Sequence, residues 1–76
     1  MKLRLTYCSA WGYEPKAVSL AEQLLKHYKK DVSEFALVPS DGGRFEIERD
    51  DVLIYSKLAE KRYPDFTEIR SLIDTQ

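Results

Sequence analysis

Apolar residues between Ala17 and Tyr28 recur with the period of an α-helix, and this segment constrains the fold more than any other. Their spacing of i, i+3, i+4, i+7, i+8 and i+11 forms one apolar stripe. Its members are Ala17, Leu20, Ala21, Leu24, Leu25 and Tyr28. Pro15 suits the first turn, where the N–H that proline lacks would have no helical partner. The pattern predicts an amphipathic helix from Pro15 to about Lys29 that buries one face.

Segments with strand-like alternation lie on both sides of this helix. Residues 2–8 alternate apolar and polar side chains, which predicts a half-buried strand. A second strand is expected at about 33–38. The apolar residues expected on the inner faces of these two strands are Leu3, Leu5, Tyr7, Phe35 and Leu37. Two such strands joined by a helix are expected to be parallel, with a right-handed crossover.

The second half of the chain predicts a hairpin and a short helix. After a turn over 39–43, residues 44–48 and 52–56 form two strands joined at Asp50-Asp51, or by a longer loop that includes Arg49. A charged connection over 57–64 leads to the last helix. This helix starts with the capping-box spacing of Asp65 and Glu68, and its inner face is Phe66, Ile69, Leu72 and Ile73.

The element order is therefore β-α-β-β-β-α. Two amphipathic helices on one face of a four-stranded mixed sheet make a two-layer sandwich, an α/β (α+β) fold. The whole chain, residues 1–76, is long enough for one domain with a modest core.

Composition narrows the functional classes. The net charge is −1, which argues against an extended basic face for nucleic acid. No stretch approaches the ~20 apolar residues of a membrane span. One cysteine and one histidine, His27, do not make a zinc site. We expect neither a metal, a nucleotide nor another cofactor, and no nucleic-acid or membrane partner. A single free thiol favours a reducing, cytoplasmic location.

Cys8 is the residue with the clearest chemical potential. It ends the first predicted strand, and the loop 9–14 leads from it to the helix. The positive end of a helix dipole and its unpaired N–H groups favour a thiolate, which is the nucleophilic form. In open α/β sheets, ligands bind beyond such carboxyl strand ends. The alternative is an inert, partly buried cysteine that serves only packing.

Three segments resemble the selenoprotein W-like, or Rdx, family. Residues 7–13, Tyr-Cys-Ser-Ala-Trp-Gly-Tyr, are similar to the family's Tyr-Cys-x-x-(selenocysteine or Cys)-Gly segment. Residues 43–47, Gly-Arg-Phe-Glu-Ile, resemble its Gly-x-Phe-Glu-Val. Residues 53–58 resemble its Leu-Ile-x-Ser-Lys segment and are followed by Tyr63-Pro64. The resemblance covers nearly all of the chain, and the segments occur in the same order.

The resemblance implies a thioredoxin-like fold and a thiol- or selenol-based redox role. Cys8 would be the attacking or glutathione-accepting thiol, and Trp11 stands where the family has its second redox residue. Glutathione or protein thiols would be the redox partners. The residues that would shape access to the thiol are Ser9, Ala10, Gly12 and Tyr13.

Trp11 leaves three interpretations open. In the first, the protein is a single-thiol variant that forms mixed disulfides. In the second, the native residue is selenocysteine or Cys, since the selenocysteine codon differs from the Trp codon by one base. In the third, Trp11 beside Tyr13 is an aromatic anchor, and the loop from Cys8 to Tyr13 is a non-catalytic protein-binding surface.

Overall fold

The computed structural model describes residues 1–75 and confirms the β-α-β-β-β-α order, with one additional short helix. The strands are β1 (Lys2–Cys8), β2 (Glu34–Ser40), β3 (Phe45–Arg49) and β4 (Val52–Ser56). The helices are α1 (Glu14–Tyr28), α2 (Lys57–Glu60) and α3 (Phe66–Asp74). A 3₁₀ turn, Lys29–Asp31, connects α1 to β2.

The four strands form one mixed sheet in the order β2-β1-β3-β4. β1 is parallel to β2 and antiparallel to β3, and β3 is antiparallel to β4. The register pairs Cys8 with Ser40 of β2, and Tyr7 with Phe45 of β3. Because β3 runs opposite to both β1 and β4, those two strands end at the same edge of the sheet. The residues that follow Cys8 and Ser56 in the chain therefore lie at that same edge of the sheet.

Helices α1 and α3 cover one face of the sheet and enclose the core, as the sequence predicts. The buried core cluster consists of Leu3, Leu5, Tyr7, Ala17, Leu20, Leu24, Phe45, Ile47, Tyr55, Ile69 and Ile73. Leu25 and Leu37, which the pattern places inward, are about 40% exposed. Leu37 belongs to the edge strand β2, and Leu25 of α1 lines the same surface depression, where the helix only partly covers the sheet. No helix within residues 1–75 is long and apolar enough to span a membrane.

Three local predictions need correction or refinement. Pro39 and Ser40 belong to β2 rather than to a turn, because the parallel pairing with β1 continues as far as Cys8. The predicted connection after β4 contains the short helix α2. The hairpin turn is the two-residue form, and Asp50 and Asp51 both take positive φ angles, 49° and 68°. Asp and Asn tolerate this left-handed region better than most residues do.

Candidate functional site

Cys8 is the last residue of β1, as predicted, and residues 9–13 lead from it to α1. Its N–H donates to the Arg44 carbonyl at 2.8 Å, which ties it to the entry of β3. Its carbonyl accepts from the N–H of Tyr13, the N-cap residue of α1, at 3.3 Å. Tyr13 makes no side-chain cap hydrogen bond within the described part of the chain, so the first turn of α1 carries N–H groups without a capping side chain.

The thiol is closed off from solvent. Cys8 is 0% exposed and is a free cysteine. Its position beside a helix start agrees with the sequence-based expectation, but its burial is greater than that of a partly exposed reactive thiol. Any reaction at the sulfur therefore requires the neighbouring loop or side chains to move.

The loop between β1 and α1 is held by few and long hydrogen bonds. Ser9 donates its N–H to the Ser40 carbonyl at 3.1 Å, and its hydroxyl reaches the same oxygen at 3.4 Å. Gly12 donates to the Ser9 carbonyl at 3.3 Å. Its φ of +73° is one that side-chain-bearing residues rarely adopt. Ser9, Ala10 and Gly12 are exposed.

Trp11 lies over Gly43 and remains 64% exposed. A Cβ atom added to Gly43 would overlap Cζ3 of the indole ring, so only glycine allows this contact. Gly43 itself is buried and has a φ of +76°. The contact between the Trp11 ring and Gly43 thus connects residues 7–13 with residues 43–47, which are two of the segments that resemble the family.

An aromatic cluster surrounds the thiol loop. Trp11 meets Tyr13 edge to face, with ring centroids 6.1 Å apart. Tyr13 and Phe45 each pack against Tyr63 in the same manner, at 5.1 and 5.3 Å. Such edge-to-face pairs are favourable arrangements of aromatic quadrupoles. Phe45 and Tyr63 were not among the predicted site residues, although both lie in segments that carried the family resemblance.

Two lysines lie on this aromatic cluster. The Lys16 ammonium is 4.7 Å from the Tyr63 ring centroid, and the Lys57 ammonium is 5.1 Å from the same centroid. Lys57 also lies 5.4 Å from the Tyr13 ring centroid. Burial raises the pKa of the Tyr63 hydroxyl, and the nearby Tyr13 and Cys8 raise it further.

The sequence pattern did not single out these lysines, since they lie far apart in the chain. Lys16 is in the first turn of α1, and Lys57 opens α2 directly after β4. The shared edge of β1 and β4 places both at the end of the sheet where Cys8 lies. Within residues 1–75, no group of three or more His, Cys, Asp or Glu side chains is arranged to hold a metal ion.

The model of the Rdx family matches residues 2–75. The chain belongs to the Rdx family. No curated protein matches the sequence significantly.

Solved structures show the same fold. The crystal structure of a selenoprotein W-related protein from Vibrio cholerae is similar with a TM-score of 0.93 and 24% identity, over 97% of this chain and 92% of that one. A Bordetella parapertussis protein is similar with a TM-score of 0.93 and 23% identity, over 97% of this chain and 94% of that one. The chain thus has the thioredoxin-like fold of selenoprotein W-related proteins.

Proposed function

We propose that this Rdx-family protein is a small thiol-redox protein that acts through Cys8. Once the neighbouring loop has moved and the thiol meets solvent, the thiol loses a proton to water, and the thiolate attacks one sulfur of a disulfide. The disulfide S–S bond breaks, a new S–S bond joins Cys8 to that sulfur, and the other half leaves as a thiolate that takes up a proton. Cys8 is thereby oxidised and the partner's other half is reduced. Glutathione disulfide or a protein disulfide is the oxidant.

The observation that carries the proposal is the position of Cys8 at the junction of β1 and α1. The first turn of α1 has no side-chain cap among the described residues, and its positive end favours a thiolate. The Rdx family is generally associated with thiol redox chemistry. A single free thiol suits a reducing compartment, so a cytoplasmic location is part of the proposal.

Trp11 determines how far the reaction proceeds in this sequence. Cys8 is the only cysteine, so the mixed disulfide has no resolving thiol within the chain. Release requires a second thiol from outside, such as reduced glutathione. We therefore expect the protein with Trp11 to accept and transfer one thiol group and to reduce small disulfides poorly.

The test is formation of a glutathione adduct on the folded protein. Incubation with glutathione disulfide at neutral pH should add one glutathionyl group, and intact-mass spectrometry should detect it. Dithiothreitol should remove it. Cys8→Ser is the matched control and should stay unmodified. An adduct that appears only in denaturant would contradict the proposal.

A second function is favoured by the exposure of Trp11. A tryptophan that is 64% exposed, fixed over Gly43 and against Tyr13, has the form of a protein-contact residue. In this alternative, the loop from Cys8 to Tyr13 is a recognition surface and Cys8 is inert. The adduct experiment separates the two, because an inert Cys8 leaves the mass of the folded protein unchanged.

A further inference from the structure

We propose that Lys16 and Lys57 form a carboxylate-recognising subsite beside Cys8, so that small disulfides carrying a carboxylate are the preferred reaction partners. This inference rests on the proposed thiol-redox function, because it names the substrate class of the same site. The two lysines and the tyrosine rings beneath them, Tyr13 and Tyr63, are called the lysine–tyrosine subsite below.

The geometry fixes the two ammonium groups at the reactive edge. Both lie within about 5 Å of the Tyr63 ring centroid. The ring faces attract the ammonium groups and orient the lysine stems. Tyr63 is in turn in edge contact with Tyr13, whose N–H binds the Cys8 carbonyl. The chain of contacts from the lysines to the thiol residue is therefore short.

The charges of these lysines are not neutralised by the protein. Within residues 1–75, neither ammonium has a carboxylate oxygen within 4 Å. Other cations of the same fold do have such partners. Lys26 pairs with Glu22 at 3.1 Å, and Arg62 pairs with Glu68 at 2.6 Å. The subsite thus carries two positive charges without an ion-pair partner among the described residues, on a chain with a net charge of −1.

Electrostatics then selects among partners. A carboxylate beside a disulfide can contact the ammonium groups while one sulfur approaches Cys8. Cations that line a reactive cleft raise the encounter rate with anions, and added salt weakens the effect. The reaction is the exchange described above, in which the disulfide supplies the oxidising equivalents. The subsite changes the rate of this exchange for charged disulfides, whereas the bonds that form and break are the same for every disulfide.

The experiment compares three aliphatic disulfides of different charge on the folded protein. They are 3,3′-dithiodipropionate, a dianion; 2-hydroxyethyl disulfide, which is neutral; and cystamine, a dication. The second-order rate of adduct formation at Cys8 is measured for the parent protein and for Lys16→Gln/Lys57→Gln. The control Lys26→Gln/Lys30→Gln removes the same charge from the other end of α1.

We expect Lys16→Gln/Lys57→Gln to lower the rate of adduct formation with the dianion by about tenfold and to raise the rate with cystamine. The rate with the neutral disulfide should stay within about twofold of the parent value. The control variant should change none of the three by more than about twofold. The dianion rate should fall with added salt in the parent protein and much less in the subsite variant.

The two proposals fail in different ways. If all three disulfides modify Cys8 and the subsite variant leaves their relative rates unchanged, the carboxylate preference is wrong and the thiol function stands. An equal loss of rate for all three would also overturn the preference, because it would reflect a general change at the thiol. If no disulfide modifies the folded parent protein, the thiol function is wrong and the substrate preference falls with it.

Discussion

The two ends of the sheet are built from different interactions. At the end where β1 begins, short polar contacts join the elements. The Met1 ammonium donates to the Asp31 carbonyl at 2.6 Å, and the Tyr28 hydroxyl donates to Asp74 at 2.7 Å. Hydrogen bonds to charged groups are shorter and stronger than neutral ones. They attach the end of α1 to α3 and the chain start to the turn after α1.

At the end where β1 finishes, edge-to-face aromatic contacts join the elements, and the one short hydrogen bond described above, from the Cys8 N–H to the Arg44 carbonyl, ties the strands β1 and β3 rather than the loop. The bonds from Gly12 to Ser9 and from Tyr13 to Cys8 are both 3.3 Å. Trp11 rests on Gly43 with most of its surface in water. We infer that the first end holds the fold together, whereas the second can open over a buried thiol. Local opening of this kind belongs to the least stable parts of a native structure.

The largest expected effect concerns position 11. Trp11→Cys should raise the turnover of small disulfides by roughly tenfold or more, because the second thiol attacks the mixed disulfide at an effective concentration in the mM range. A glutathione-coupled reductase assay measures this. Cys8→Ser in the same background should abolish the gain. Equal turnover with Trp and Cys at position 11 would contradict the assignment of residues 8–11 as a redox motif.

The contact between Trp11 and Gly43 offers a sharper test of the opening. Gly43→Ala should push the indole ring away and speed the alkylation of Cys8 by iodoacetamide about fivefold, a shift of about 1 kcal/mol in the opening equilibrium. Gly42→Ala is the matched control. It has a similar φ, +69°, but its added Cβ meets no atom within 4 Å in the described residues.

Both alanine variants should lose about 1–2 kcal/mol of stability from the left-handed backbone. Only Gly43→Ala should change the thiol's accessibility. If both variants accelerate alkylation equally, general destabilisation explains the result and Trp11 does not close the site.

At the opposite end, Tyr28→Phe should destabilise the fold by about 1 kcal/mol and leave the alkylation rate of Cys8 unchanged. Burial and the hydrogen bond to Asp74 raise the pKa of Tyr28 to about 12. The stability that the Tyr28 hydroxyl contributes is fully present below pH 10 and is lost as the pH rises through the folded-state pKa. Urea unfolding should therefore show the two proteins converging between pH 10 and about 12.

The smallest effect is expected at the Arg62–Glu68 pair. Its bidentate contacts are 2.6 Å long, but Arg62 is half exposed and solvent weakens the pair, so Glu68→Gln should lower the stability at neutral pH less than Tyr28→Phe does. The hydrogen bond from Arg62 lowers the pKa of Glu68. The stability that the Glu68 carboxylate contributes is present above its unfolded-state pKa and disappears as the pH falls through its folded-state pKa. Unfolding curves at neutral and acidic pH measure the difference.

Helix capping shows how far local sequence signals reach. The capping-box spacing correctly predicts the start of α3, and the Asp65 carboxylate accepts from the Glu68 N–H at 2.8 Å. The Glu68 side chain does not return the bond but pairs with Arg62, a residue outside the box. The periodicity of α1 and the exact bounds of β1 were also predictable, because they depend on neighbours within a few residues.

The surroundings of Cys8 were less predictable. Its place at the strand end follows from the alternation of β1, but its complete burial is a property of the tertiary packing, which local alternation does not determine. Lys16 and Lys57 were not predicted for the same reason. They are 41 positions apart in the chain and come together through the order of the strands in the sheet.

The central claim is that the loop over Cys8 opens while the rest of the protein stays folded. The most direct test is the rate of Cys8 alkylation as a function of urea concentration below the unfolding transition. The account predicts a shallow slope, much smaller than the equilibrium m-value, since opening the loop exposes little surface. A slope equal to the equilibrium m-value would mean that Cys8 reacts only after global unfolding, and it would contradict the account.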